Sequence, residues 1–271
     1  MSKELCRRGL IAPPAGFVSV FPSLSANLPL LEWDQIKAIA KSGTMDGRKK
    51  YDQRFVEAQR HNNCAGASAA VLVMKTIYDT RGEFVRLSNT FTYSLINGGR
   101  DQGSMLADAC RMIQDVGVCL PQTCGPDDIY PAQYDKKKAH EEAKRFRVAE
   151  CYAIRGGGDR DLMWRTFWSA LALGWKIGVA VQAGSRFDRL DSNGICGVDD
   201  GGGNHAVHAD GLVEISGDLI ATGGNTWPLS WGINGRMNMR QEHFEQTIGV
   251  HEHYAVRAAV DDPLKPIPML L

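Results

Sequence analysis

The stretch Asn204–Met239, NHAVHADGLVEISGDLIATGGNTWPLSWGINGRMNM, constrains the fold more than any other part of the chain. A β-prone run from His205 to Ile215 meets Ser216-Gly217, which reads as a turn. A second run then returns toward Asn225-Thr226-Trp227. Two antiparallel runs bring the far end of the second beside the near end of the first. Counted from the turn, Asn225 falls about three residues from the point opposite His205, an offset that a bulge or a slightly longer turn would absorb. An imidazole beside an amide carbonyl is the oriented half of a nucleophile–base system. The upstream residue that best supplies the nucleophile is Cys64.

Composition narrows the classes. Lys+Arg and Asp+Glu are both 31, so no cation excess exists to release counterions from a nucleic acid. No apolar run reaches the roughly 18 residues of a membrane span. The start, MSKELCRRGLIAPPAGFVSVF, is broken by Pro13-Pro14 and lacks the apolar core of a signal peptide. A cytoplasmic or particle-associated protein is expected. The 7 cysteines are scattered, with no C-x-x-C, which reads as free thiols in a reducing compartment. Cys119-x4-Cys124 and His251-x-His253 lack the closely paired spacing of a zinc site. Neither a metal nor a cofactor is expected.

Residues 1–50 are punctuated by Pro and Gly, with one helical stretch from Leu31 to Lys41. From Cys64, CAGASAAVLVMKTIY has helical spacing and is nearly all apolar, so it predicts a buried helix stopped by Gly82. A second helix opens at Gly103-Ser104 and ends at Gly117. Residues 136–150 read as a charged, solvated helix, and Asp159 caps another that ends at Gly174. Beyond it, 176–182, 205–215, 219–222, 236–240 and 247–260 are strand-like. Helices first and strands later is an α+β order. The expected division is an extension over 1–50, a catalytic unit over 51–262 and a tail over 263–271.

Cys64 opens the buried helix, where backbone N–H groups and the helix dipole favour a thiolate. Cys110, in mid-helix on an apolar stripe, reads as core. His205 and His208 compete for the base. In a strand, positions three apart face opposite sides, so His208 reads as structural. The loop Asp199-Asp200-Gly201-Gly202-Gly203 suits a cleft edge.

Asn204-His205-Ala206-Val207, Gly211, Asn225-Thr226-Trp227 and Trp231-Gly232-Ile233-Asn234-Gly235 resemble the His and Asn regions of the papain-like cysteine peptidases. Gln59 ahead of Cys64, with Ala67-Ser68 behind it, is similar to that family's nucleophile region. The resemblance spans roughly residues 55–245. It implies a two-lobed fold with a helical lobe bearing Cys64 and a β-rich lobe bearing His205. It also implies Cys64 as nucleophile, His205 as base, Asn225 as orienter of the ring and Gln59 as oxyanion donor, with Trp227 covering the His–Asn bond. Gly99 and Gly103 both fit the glycine of the substrate-binding strand. His61, Ala65 and Pro228 depart from the family pattern, and the family's secreted-type disulfides have no counterparts.

The expected activity is hydrolysis of peptide or related amide bonds, with a polypeptide as partner. Only 63 residues precede Cys64, without a charged inhibitory helix, so a secreted zymogen is not expected. A second reading keeps the fold as a structural component of a multi-subunit assembly, for example a virion.

Overall fold

The computed structural model describes residues 9–199, 203–248 and 250–259. Cys6, the middle of the 199–203 loop and the tail over 263–271 lie outside them.

The centre of the molecule is α3, Cys64–Arg81, whose first fourteen residues are buried. Small residues at its start let neighbours come close. A side chain on Gly66 would press on Tyr93 of α4, Phe91–Ile96. Gly82 ends the helix in the left-handed conformation, φ 71°, as expected of a glycine there.

Before α3 come α1, Trp33–Ser42, and the single turn α2, Gly47–Lys50. Glu32 and Gln35 close a capping box on α1. After α4 come α5, Leu106–Asp115, and α6, Lys136–Ala143, the latter capped by Asp135. The strand β1, Val148–Ile154, follows, and then α7, Arg160–Ala172, where Asp159 accepts the Leu162 N–H at 3.0 Å. The remaining elements are β2 Lys176–Ala183, β3 Gly203–Ile215, β4 Asp218–Gly224, β5 Arg236–Met239, α8 Gln241–Glu245 and β6 His253–Ala259.

The six strands form one sheet in the order β1-β6-β2-β3-β4-β5, with every pairing antiparallel. One apolar cluster joins α3 and α5 to one side of it, including Ala180, Ala206 and Val256. A second joins α1, α7 and α8 to the other, through Ile36, Trp168, Phe244, Val207 and Leu212. Residues at the end of the expected extension are therefore part of the core. Trp164, Phe167, Trp168 and Leu171 of α7 lie in that second cluster.

Three sequence expectations are corrected. The helix over 136–150 stops at Ala143, and Val148 starts an edge strand, because the charged run gives way to the half-buried pattern of β1. The helix expected from Gly103 begins at Leu106, and the short α4 precedes it. The strand expected over 247–260 is β6 alone, with α8 just upstream.

Among the described residues, no helix is long and apolar enough to cross a membrane, and no cluster of His, Cys, Asp and Glu is able to hold a metal.

Candidate active site

The hairpin forms as the sequence predicts. Ile215 pairs with Asp218, and Ser216 and Gly217 both take positive φ, 55° and 89°, the twist a two-residue hairpin needs. A register shift between Ala209 and Gly211 supplies the expected bulge. Pairing ends at His208 and Gly224, so Asn225 starts the next segment, and its side chain reaches His205.

There the His205 Nε2–H donates to Asn225 Oδ1 at 2.7 Å. The same oxygen accepts the Thr226 backbone N–H at 2.7 Å. A backbone N–H only donates, so the atom between the two is the amide oxygen rather than the nitrogen. That assignment requires Nε2 to carry a proton and makes Nδ1 the basic nitrogen of the neutral ring. Trp227 stacks on the imidazole, with centroids 5.0 Å apart and planes at 24°. Phe187 meets the ring edgewise at 6.4 Å. His205, Asn225 and Trp227 are all fully buried.

Cys64 is the first residue of α3, fully buried, and its thiol faces the backbone of Ala206, next to His205, and of Gly9. Ser68, one turn along α3, donates to the Ala206 carbonyl at 3.1 Å. Helix and strand are thus tied at Ala206, the neighbour of His205. The thiol, however, is not the thiolate expected from its helix position. Burial pushes it up, and the backbone N–H groups of Ala206, Gly9, Ala65 and Cys64 itself only partly offset this.

Gln59 joins the same group. Its backbone N–H donates to the Thr226 carbonyl at 2.7 Å, its side-chain oxygen accepts the Thr226 hydroxyl, and its amide nitrogen donates to the His61 carbonyl at 2.9 Å. Gly103 lies against the Gly9 backbone, while Gly99 sits in an exposed turn closed by the Asn97 side chain at 2.8 Å. His208 proves structural, its Nε2 2.7 Å from Lys75 Nζ.

One contact was not foreseen. The segment from Gly9 to Ile11 lies in the crevice beside Cys64. The Gly9 carbonyl accepts the Ser104 N–H at 2.9 Å, the Ile11 N–H donates to the Ser104 carbonyl at 3.0 Å, and Leu10 joins the core around α3. A β-carbon on Gly9 would overlap the Asn62 carbonyl, and one on Gly103 (φ 101°) would overlap the Gly9 carbonyl. Two bare glycine backbones therefore permit the fit. The only sequence signal is a short apolar triplet before Pro13-Pro14. Sequence reasoning also missed Asp101, which accepts from Asn62 N–H at 2.9 Å and Tyr93 hydroxyl at 2.8 Å. Tyr93 in turn accepts the Gly103 N–H at 3.1 Å. This chain of bonds fixes the spacing of the two crevice walls.

Glu57, two residues before Gln59, is buried beside Arg86. Burial raises its carboxyl to about 7, more than the Arg86 charge lowers it. The folded state therefore holds a proton that the unfolded state, with an ordinary value of 4.5, releases. Stability contributed by this proton is complete below pH 4.5 and is lost as pH rises toward 7, by up to about 3 kcal/mol. Urea titrations of wild type and Glu57→Gln across pH 4–8 are expected to show this decline in wild type and a flatter profile in the variant.

No family model matches the sequence, and no curated protein matches it. Solved structures do. The chain is similar to procathepsin L 3 from Tenebrio molitor larval midgut, with a TM-score of 0.59 and 18% identity over 93% of this chain and 76% of that one. It is similar to xylellain, a cysteine protease from Xylella fastidiosa, with a TM-score of 0.60 and 15% identity over 96% and 99%. It is also similar to procathepsin B S9 from Trypanosoma congolense, with a TM-score of 0.62 and 15% identity over 92% and 87%. At such identities the likeness is one of architecture, and the chain has the papain-like cysteine protease fold.

Proposed function

We propose that the chain is a papain-like thiol hydrolase that cleaves peptide or related amide bonds without a cofactor. The observation that carries the reading is the His205–Asn225 hydrogen bond beneath Trp227, with the Cys64 thiol against the backbone next to His205.

In this reading His205 Nδ1 takes the Cys64 proton, and the sulfur attacks the scissile carbonyl. Asn225 keeps the ring in the tautomer that leaves Nδ1 basic, the third role of a triad. The resulting imidazolium offsets the burial that opposes a lone thiolate. The carbonyl oxygen becomes an oxyanion between the Cys64 backbone N–H and the Gln59 amide, donors at the open start of α3. The imidazolium then returns its proton to the leaving amine, and water releases the acyl group by the same route. Gly103, next to Ser104, whose backbone already pairs with an extended segment, is the glycine that would face a substrate strand.

The Gly9–Ile11 segment occupies the place that substrate would need. Burying Leu10 is worth about 2 kcal/mol and the two backbone bonds about 1 kcal/mol each. Ordering three residues costs about 1 kcal/mol apiece. The balance, about 1 kcal/mol, holds the segment in place without locking it. Gly9→Val introduces the overlap with Asn62 and is expected to raise peptide hydrolysis roughly fivefold to tenfold, because access scales with the open fraction. Mass-spectrometric mapping of new termini in an unfolded protein substrate measures this, and His205→Ala in the same background is expected to produce none. Equal, His205-independent rates in all variants would refute the proposal.

A further inference from the structure

Just ahead of α3, a single peptide unit touches both the Gln59 side chain and the far wall of the crevice. The His61 carbonyl accepts the Gln59 amide N–H at 2.9 Å, and the N–H of the same peptide bond, from Asn62, donates to Asp101 Oδ1 at 2.9 Å. A peptide unit is planar, so Gln59 and Asp101 hold opposite edges of one rigid plate. The Asn62 side chain adds a second tie, its Nδ2 donating to the Asp101 carbonyl at 2.9 Å.

The His61 ring returns to the same carboxylate. Its Nδ1 lies 3.3 Å from Asp101 Oδ2, and its Nε2 faces Asp127 Oδ1 at 3.5 Å. A carboxylate only accepts, so both ring nitrogens face acceptors and the place suits a doubly protonated ring. The His61 and Asp101 side chains are 21% and 23% exposed, whereas Asp127 is 63% exposed and also pairs with Arg60. Solvent screening makes the Asp127 contact minor, and Asp101 is the partner that matters. Burial would raise the Asp101 carboxyl, yet the Asn62 N–H, the Tyr93 hydroxyl and the His61 ring together hold it below the ordinary value. Asp101 is therefore ionised and accepts from all three.

We infer that His61 and Asp101 are positioning residues for amide hydrolysis, clamping the 61–62 peptide so that its carbonyl aims the Gln59 amide at the oxyanion. The inference rests on the thiol-hydrolase reading above and deepens it. An amide nitrogen carries two hydrogens. The His61 carbonyl takes one and, with the Thr226 hydroxyl on Gln59 Oε1, fixes the amide plane. The other is the donor that the proposed reaction uses. The Asp101 charge also polarises the plate, because a hydrogen bond to its N–H strengthens the one its carbonyl accepts. A loosened plate lets the amide swing, and the cost falls on the transition state, where the oxyanion exists.

The test compares His61→Gln, Asp101→Asn and the double variant in the full chain carrying Gly9→Val. Asparagine keeps an oxygen for Asn62 and Tyr93 but turns an NH2 group toward the ring. Two things are measured: kcat and KM for peptide hydrolysis, and the rate of Cys64 alkylation by iodoacetamide, located by mass spectrometry. Alkylation is a displacement at carbon that builds no oxyanion, so it does not call on Gln59. In each single variant kcat is expected to fall roughly tenfold to a hundredfold, less than the loss of an oxyanion donor outright. KM and the alkylation rate should stay within about twofold of the Gly9→Val parent. Both substitutions open one clamp, so the double variant should lose no more than the worse single one. His61→Gln, at a partly exposed site, keeps the test open if Asp101→Asn folds poorly. Unchanged kcat in His61→Gln, losses that multiply in the double variant, or alkylation that slows in step with hydrolysis would each overturn the clamp and leave the hydrolase reading standing. Hydrolysis that persists in Cys64→Ala, or is absent from the Gly9→Val parent, would overturn both.

Discussion

Replacing Cys64 with alanine is expected to lower amide hydrolysis by about four orders of magnitude or more, because a catalytic group that acts as a unit with its base is lost outright. The effect should come without a matching loss of stability. Cys64 is fully buried, yet it sits at the end of α3 rather than in its packed middle, and alanine keeps the β-carbon. Circular dichroism and urea midpoints of Cys64→Ala near wild type, with activity gone, are the expected pair of results. The peptide assay should be run in the Gly9→Val background, so that the covering segment does not mask the difference. A rate unaffected by Cys64→Ala would favour the other reading, in which the fold serves as a scaffold within an assembly.

The largest expected effect on stability lies deeper along the same helix. Lys75 and Asp210 are fully or almost fully buried and form an ion pair between α3 and β3. Arg236 donates to both Asp210 oxygens at 2.9 Å, and the Thr222 hydroxyl donates to one at 3.0 Å. Burial alone would raise the Asp210 carboxyl, but the charges of Arg236 and Lys75 outweigh it and hold the group well below the usual carboxylate range. Burial and the Lys75 charge keep His208 neutral. The cluster thus holds two cations around one carboxylate. Asp210→Ala leaves both cations buried without their counter-ion, and a loss of about 3–5 kcal/mol is expected. Lys75→Met keeps the Asp210–Arg236 pair and most of the volume, so it should cost clearly less. Denaturant unfolding of the two variants checks the order. Because Asp210 is depressed, its contribution is present above the ordinary carboxylate value of 3.8 and fades as pH falls through the folded value. Acid unfolding should therefore begin at higher pH once the cluster is weakened.

This cluster bears on catalysis through position. Lys75 lies three turns along α3 from Cys64, and His208 three residues along β3 from His205. A buried ion pair that fixes one element against another sets their register, and here it ties α3, which begins at Cys64, to β3, which carries His205.

Much of this was legible in the sequence. Strict turn chemistry at Ser216-Gly217, the apolar composition after Cys64 and the glycine at 82 each have one good local solution, and the structure adopts it. The His205–Asn225 encounter followed from counting along a hairpin, the bulge included. Contacts set only by tertiary structure were not legible. Lys75 looked like one polar residue in an apolar helix, and nothing local shows that Asp210 and His208 meet it. The β1 strand was hidden by the charged run before it. The Gly9–Ile11 segment was missed because its fit depends on bare backbone at Gly9 and Gly103, which lie far apart in sequence. The thiolate expected at Cys64 rested on the helix start alone, whereas the depth of burial dominates.

The most direct test of the central claim, that Cys64 is the nucleophile served by His205, is alkylation of the Gly9→Val chain with limiting iodoacetamide. Label position and residual hydrolysis are followed together. The account predicts that native protein takes its first label at Cys64, that activity falls in proportion to that label, and that His205→Ala slows the labelling. Full labelling of Cys64 with hydrolysis intact would contradict it.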